Sequence, residues 1–129
     1  MLENHAMELF QLMVPTVGDP WNEIVLHGTV EATWFQFDIY FRREPEGKFI
    51  KCYDVKPFDE LLPSFMKMAK LCRIAQKETR EHFENEKIDS EVWTGFTFVL
   101  TREGDFNITY EYGEWQVGLN QEWHDKYLR

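Results

Sequence analysis

Leu2, Ala6, Leu9, Phe10 and Met13 recur at helical spacing, which predicts an amphipathic N-terminal helix over residues 3–14. Pro15 and the Gly18-Asp19-Pro20 cluster end it. From Trp21 the apolar period shortens to two. Ile24, Leu26 and Val30 take one face of a strand, and Glu23, Val25, His27, Thr29 and Glu31 the other. After a turn near Glu31-Ala32, Phe35, Phe37, Ile39 and Phe41 alternate with Trp34, Gln36, Asp38 and Tyr40 in a second strand. Pro45-Glu46-Gly47 is a tight hairpin turn, with Phe49 to Tyr53 as the return strand.

Pro57 opens a helical stretch in which Phe58, Leu61, Leu62, Phe65, Ala69, Cys72 and Phe83 lie near one stripe. An interior proline costs about 3 kcal/mol, so the pattern predicts a short first turn and a new helix starting at Pro63, running to about Asn85. Phe96, Phe98 and Leu100 then alternate with Thr97, Val99 and Thr101. A turn at Arg102-Glu103-Gly104-Asp105 leads to the alternating run Phe106, Ile108, Tyr110 and Tyr112. Leu119 to Leu128 reads as a short closing helix. The expected fold is α+β. It is one domain over residues 1–129, with an antiparallel sheet of about five strands, an N-terminal helix, a long central helix and a short C-terminal helix.

Composition narrows what such a domain does. The length of 129 residues suits one domain with its own core, and 43% hydrophobic content excludes a disordered acidic tail. Fourteen Lys and Arg against 23 Asp and Glu give a net charge of −9, which argues against binding nucleic acid or an anionic membrane. No signal peptide and no apolar run long enough to span a bilayer is legible, so a cytoplasmic location with reduced thiols is expected. The charge is also uneven. Residues 1–41 hold six carboxylates and no Lys or Arg, residues 42–80 hold ten bases and six acids, and the segments after residue 80 are acidic again. If the ends meet in the fold, they form an acidic surface suited to a cationic partner.

Few residues point to catalysis. No P-loop, dinucleotide fingerprint, nucleophile elbow or zincin motif is present. Glu78 and His82 stand at i, i+4 and could share a metal. A catalytic zinc site needs about three protein ligands, and His5, His27 and His124 give no readable third, so no metal and no cofactor is expected. Cys52 and Cys72 read as small buried hydrophobes. The second face of the sheet is more informative. It carries Trp34, Asp38 and Tyr40 beside Glu23, His27 and Glu31, a mixture of rings and carboxylates fit for a protein interface. A covering helix, or plain solvation of one sheet face, accounts for the same pattern.

Trp21 enters the first strand, Trp93-Thr94 opens the late hairpin, and Gly104-Asp105-Phe106 forms its turn. Tyr110-Glu111-Tyr112 follows, and Trp123-His124-Asp125-Lys126-Tyr127-Leu128 closes the chain. In this order the signatures resemble the YezG-like family of bacterial immunity proteins. The resemblance implies a non-enzymatic cytoplasmic antidote encoded beside a polymorphic toxin, which binds the toxin's C-terminal domain, often a nuclease delivered by cell contact or secretion. It assigns no site residue. The residues themselves put forward Trp34, Asp38 and Tyr40 on the sheet, with Glu81, Glu84, Asp89 and Glu91 around the end of the long helix, as partner contacts. The chain is expected to be a monomer or weak homodimer. A small enzymatic or ligand-binding domain and a self-associating structural module remain as alternatives.

Overall fold

The computed structural model describes residues 1–112. A 3-10 turn, Leu2–His5, runs into helix α1, Ala6–Met13, and a second such turn, Val14–Thr16, contains Pro15. Strand β1 spans Glu23–Val30, β2 Phe35–Arg42 and β3 Ile50–Lys51. After a 3-10 turn at Cys52–Asp54, helix α2 runs from Phe58 to Asn85, and β4, Gly95–Thr101, and β5, Phe106–Glu111, complete the order. The five strands form one sheet in the order β3-β2-β1-β4-β5, and every neighbouring pair is antiparallel. The α+β class and the five-stranded antiparallel sheet therefore agree with the alternation in the sequence. The described residues contain two α-helices; the closing helix expected at Leu119–Leu128 lies outside them.

β1 takes the central place because seven consecutive residues, Ile24 to Val30, are buried. On one face Ile24, Leu26 and Val30 meet Phe37, Ile39 and Phe41 of β2 and Phe96, Phe98 and Leu100 of β4. Leu9 and Met13 of α1 and Leu61, Phe65, Met68 and Cys72 of α2 close over them. The long helix also solves a connection problem, carrying the chain from the β3 edge over the sheet to β4 on the far side of β1. In mid-strand, Gly28 stands opposite both Phe37 and Phe96. A Cβ there would sit 2.7 Å from a Phe96 ring carbon and 2.8 Å from one of Phe37. The missing side chain is the space that the two rings occupy. At the β4–β5 turn, Gly104 adopts φ +93°, a region that costs glycine little, and its N–H donates to the Thr101 carbonyl at 3.0 Å.

Two local expectations are corrected. No helix break occurs at Pro63, and α2 is continuous over 28 residues. Pro63 is exposed, so the lost hydrogen bond and the displaced Asp59 carbonyl fall on the water side, while buried Leu61 and Phe65 on either side hold the axis to the sheet. The return strand is also shorter than Phe49–Tyr53. At Cys52 the chain turns inward: the thiol is fully buried, and Tyr53 packs edge-on against Phe65 with ring centroids 6.0 Å apart. Cys52 and Cys72 are unbridged and buried, as their apolar surroundings in the sequence suggested. Burial pushes each thiol from 9.0 up to about 12, which holds both in the protonated form.

Two outcomes test this packing. Gly28→Ala should destabilise the protein by about 1–3 kcal/mol, because two rings must give way for one methyl group, as read from the urea midpoint. A Gly28→Ala midpoint equal to wild type would show that the rings are not tightly seated. The raised thiols favour the folded state fully below pH 9.0, where the unfolded thiols are still protonated, and that stability is lost as pH rises toward 12. The urea midpoint should therefore fall above pH 9.0, and the slope between there and 10.0, where unfolded tyrosines begin to ionise, should flatten in Cys52→Ala/Cys72→Ala.

Candidate partner-binding surface

The second face of the sheet is polar, yet it is not open. Val25, His27, Thr29, Asp38 and Tyr40 are all buried there, with Tyr40 at 0% and Asp38 at 4% exposure. Charged groups reach in from both edges. Lys51 Nζ of β3 lies 3.8 Å from Asp38 Oδ1, and His27 Nε2 lies 3.3 Å from Glu111 Oε2 of β5. The second contact depends on a missing side chain. Glu111 is paired with Gly95, where a Cβ would meet the same carboxylate oxygen at 3.0 Å, so Glu111 can lean across β4 to the central strand. Burial, and then the Asp38 carboxylate, push the Tyr40 hydroxyl well above its ordinary range. Asp38 and Tyr40, expected as exposed contacts, are corrected to members of a buried polar row. Alternation fixes which face a strand residue takes, and it is silent on whether that face is covered.

The other five candidates are exposed and lie toward one end of the molecule. The β1–β2 loop, residues 31–34, and the connection between α2 and β4, residues 86–94, meet at the same strand ends, because the Val30 N–H donates to the Thr94 carbonyl at 2.8 Å. α2 is fastened to this end by side chains. Arg73 donates from Nε and one Nη to the Glu31 carbonyl at 3.2 and 3.1 Å. Gln76 Nε2 donates to the carbonyls of Val30 at 2.9 Å and Trp93 at 3.2 Å. Trp93, completely buried against Phe96 and Tyr110, anchors the connection from within. These ties were not legible in advance: Arg73 and Gln76 read as ordinary polar helix positions, and only the fold reveals which carbonyls they meet.

On this framework Trp34 is 38% exposed in the β1–β2 loop. Glu81 and Glu84 project from the last turns of α2, and Asp89 and Glu91 are exposed in the connection that follows. Glu31 and Glu86 add carboxylates nearby, against Arg73, Lys77, Arg80 and Lys87. The end is acidic with interspersed bases, and Trp34 and, after Glu111 of β5, Tyr112 are exposed rings there.

Glu78 and His82 line a cavity of about 380 Å³ with Met1, Asn4, Thr79 and Phe83. His5 Nε2 lies 3.0 Å from Glu78 Oε1, an ion-pair geometry when that ring is protonated. Among the described residues no group of three or more His, Cys, Asp or Glu is placed to share a metal ion. None of the helices described is long and apolar enough to cross a membrane.

No curated protein sequence matches the chain. The family model described as "Immunity protein YezG-like" matches residues 2–128, nearly the whole length. That match spans both faces of the sheet and the acidic end together, and on it the chain belongs to the YezG-like family of immunity proteins.

Proposed function

We propose that this immunity protein neutralises a cognate bacterial toxin by tight, non-covalent binding to the toxin's C-terminal domain, through the acidic end built from the β1–β2 loop, the end of α2 and the 86–94 connection. The observation that carries the reading is the exposure of Trp34, Asp89 and Glu91 on connections held by Arg73, Gln76 and Trp93, together with Glu81 and Glu84 exposed on the last turns of α2. Rigid scaffolds that present loops are where binding residues concentrate. A toxin that grips phosphate, such as a nuclease, has a basic cleft, and an acidic end is its electrostatic complement. Carboxylates speed the encounter, while a half-exposed tryptophan contributes the large contact area typical of interface hot spots. The activity requires no catalytic residue, cofactor or metal. The cytoplasm, where a self-directed toxin would act, is the compartment that fits this role.

The cognate toxin domain is sought in the gene beside this one and titrated against the immunity protein. Trp34→Ala should weaken binding by about 2 kcal/mol or more by calorimetry. Asp89→Lys/Glu91→Lys should slow association by roughly tenfold at low salt and reduce its salt dependence, with a smaller change in dissociation. Affinity and association rate unchanged in both variants would move the binding surface elsewhere.

A further inference from the structure

The outer face of α2 carries a charge order that its core-facing side does not require. Lys67, Lys70, Ile74, Lys77, Glu81 and Glu84 follow one another at spacings of three and four residues, so they form a single stripe along the helix. All six are exposed, Ile74 at 43%. The stripe lies opposite Leu61, Phe65, Met68, Cys72 and Ala75, which face the sheet. Within the chain its charges are little used. Lys77 Nζ stands 3.9 Å from Glu81 Oε1 with both side chains in solvent, and among the described residues Lys67, Lys70 and Glu84 make no ion pair.

The order runs from lysines at 67 and 70 to glutamates at 81 and 84, with Ile74 and Lys77 between them, so the outer charges of the stripe are complementary to their own reverse. About a two-fold axis between residues 75 and 76, an antiparallel copy sets Lys67 against Glu84 and Lys70 against Glu81, and each pair occurs twice. Ile74 then faces the aliphatic stem of Lys77 at the centre. A parallel copy in register would set lysine on lysine and glutamate on glutamate. The helix is long enough, since Lys67 to Glu84 spans roughly 25 Å at 1.5 Å per residue within an element of 28 residues. Beside the stripe, a cavity of about 340 Å³ is lined by Glu8 and Leu12 of α1 and by Lys67, Lys70, Leu71 and Ile74 of α2. Met66, 58% exposed, adds apolar surface at the margin.

We propose that the outer stripe of α2 is a self-complementary docking surface that pairs two copies of this chain antiparallel, Lys67 and Lys70 of each meeting Glu84 and Glu81 of the other. One helix pair of a few turns buries an area at the low end of specific interfaces, so the dimer is weak and salt-sensitive. Glu81 and Glu84 belong also to the acidic end, so self-association withdraws part of the surface offered to another protein, while Trp34, Asp89 and Glu91 lie off the stripe. The proposal concerns the chain alone and stands independently of which toxin it meets.

Sedimentation velocity across a concentration series at low and high salt tests it, with far-UV circular dichroism as the control for folding. The wild-type chain should move with concentration from 15.6 kDa toward twice that mass at low salt, and the shift should vanish at high salt. Lys67→Glu/Lys70→Glu makes the stripe wholly acidic at its ends, and Glu81→Lys/Glu84→Lys makes it wholly basic. Each alone should associate at least about tenfold more weakly than wild type. An equimolar mixture of the two should form a heterodimer, and the fourfold variant should dimerise again. Three results overturn the proposal: a wild-type chain at single-chain mass at every concentration, a dimer that persists in both charge-reversed variants, or a mixture that stays monomeric.

Discussion

β1 is the constraint on which the fold depends, because its two neighbours and both helices take their positions from it. Burying seven consecutive residues removes a large apolar area from water, and it also demands that each neighbour be in register. A one-residue slip of β2 would carry Phe37, Ile39 and Phe41 to the polar face and bring Asp38 and Tyr40 against α2. Gly28 tightens that demand further. Its empty position admits rings from both sides, with the Phe37 and Phe96 centroids 6.5 Å apart across it, and it does so in only one register. The aromatic cluster then continues through Phe65 to Tyr53 and Phe58, so the start of α2 is located by the same packing that locates β2.

The alternation of rings and polar residues was enough to give five strands, their turns and the faces they present, because period two is imposed by strand geometry itself. What it could not give was the fate of the second face. Asp38 and Tyr40 look like surface residues by pattern, yet both are buried, and the cross-strand neighbours of Asp38, His27 opposite it and Lys51 at 3.8 Å, are ones that local sequence does not specify. The Gly95 gap that lets Glu111 lean toward His27 is of the same kind. Pro63 is the reverse case: a strong local signal was overridden, because a proline on the water side of a helix gives up a hydrogen bond without disturbing the packed side. The exposed candidates, Trp34, Glu81, Glu84, Asp89 and Glu91, were legible as charged or aromatic positions outside the apolar pattern. Their gathering at one end was not, since it follows from Gln76 and Arg73 meeting loop carbonyls.

Net charge alone would suggest a uniformly acidic particle, but the outer stripe of α2 from Lys67 to Glu84 orders its charges. Its core-facing side is fixed by the sheet, which leaves the outer residues free to vary without cost to folding, since isolated surface charges alter stability little. A segregated order on such a face, lysines first and glutamates last, is therefore not explained by the demands of the core. Acids and bases interspersed at i, i+4 would favour pairing within the helix. Block order instead leaves Lys67, Lys70 and Glu84 without an ion pair among the described residues.

The two surfaces, the acidic end and the outer stripe, share Glu81 and Glu84 but differ in what holds them. The end includes loops whose backbone is clamped by Arg73, Gln76 and the buried Trp93, so that backbone is held in place before any partner arrives, which reduces the entropy lost on binding. The stripe is built from long side chains on one helix, where lysine and glutamate rotamers must be ordered at each contact. Preorganisation favours the end as the tight, specific site and the stripe as the weak, reversible one. A chain using both would exchange a loose contact with its own kind for a firm one with its target whenever the target appears, because each draws on the same two glutamates.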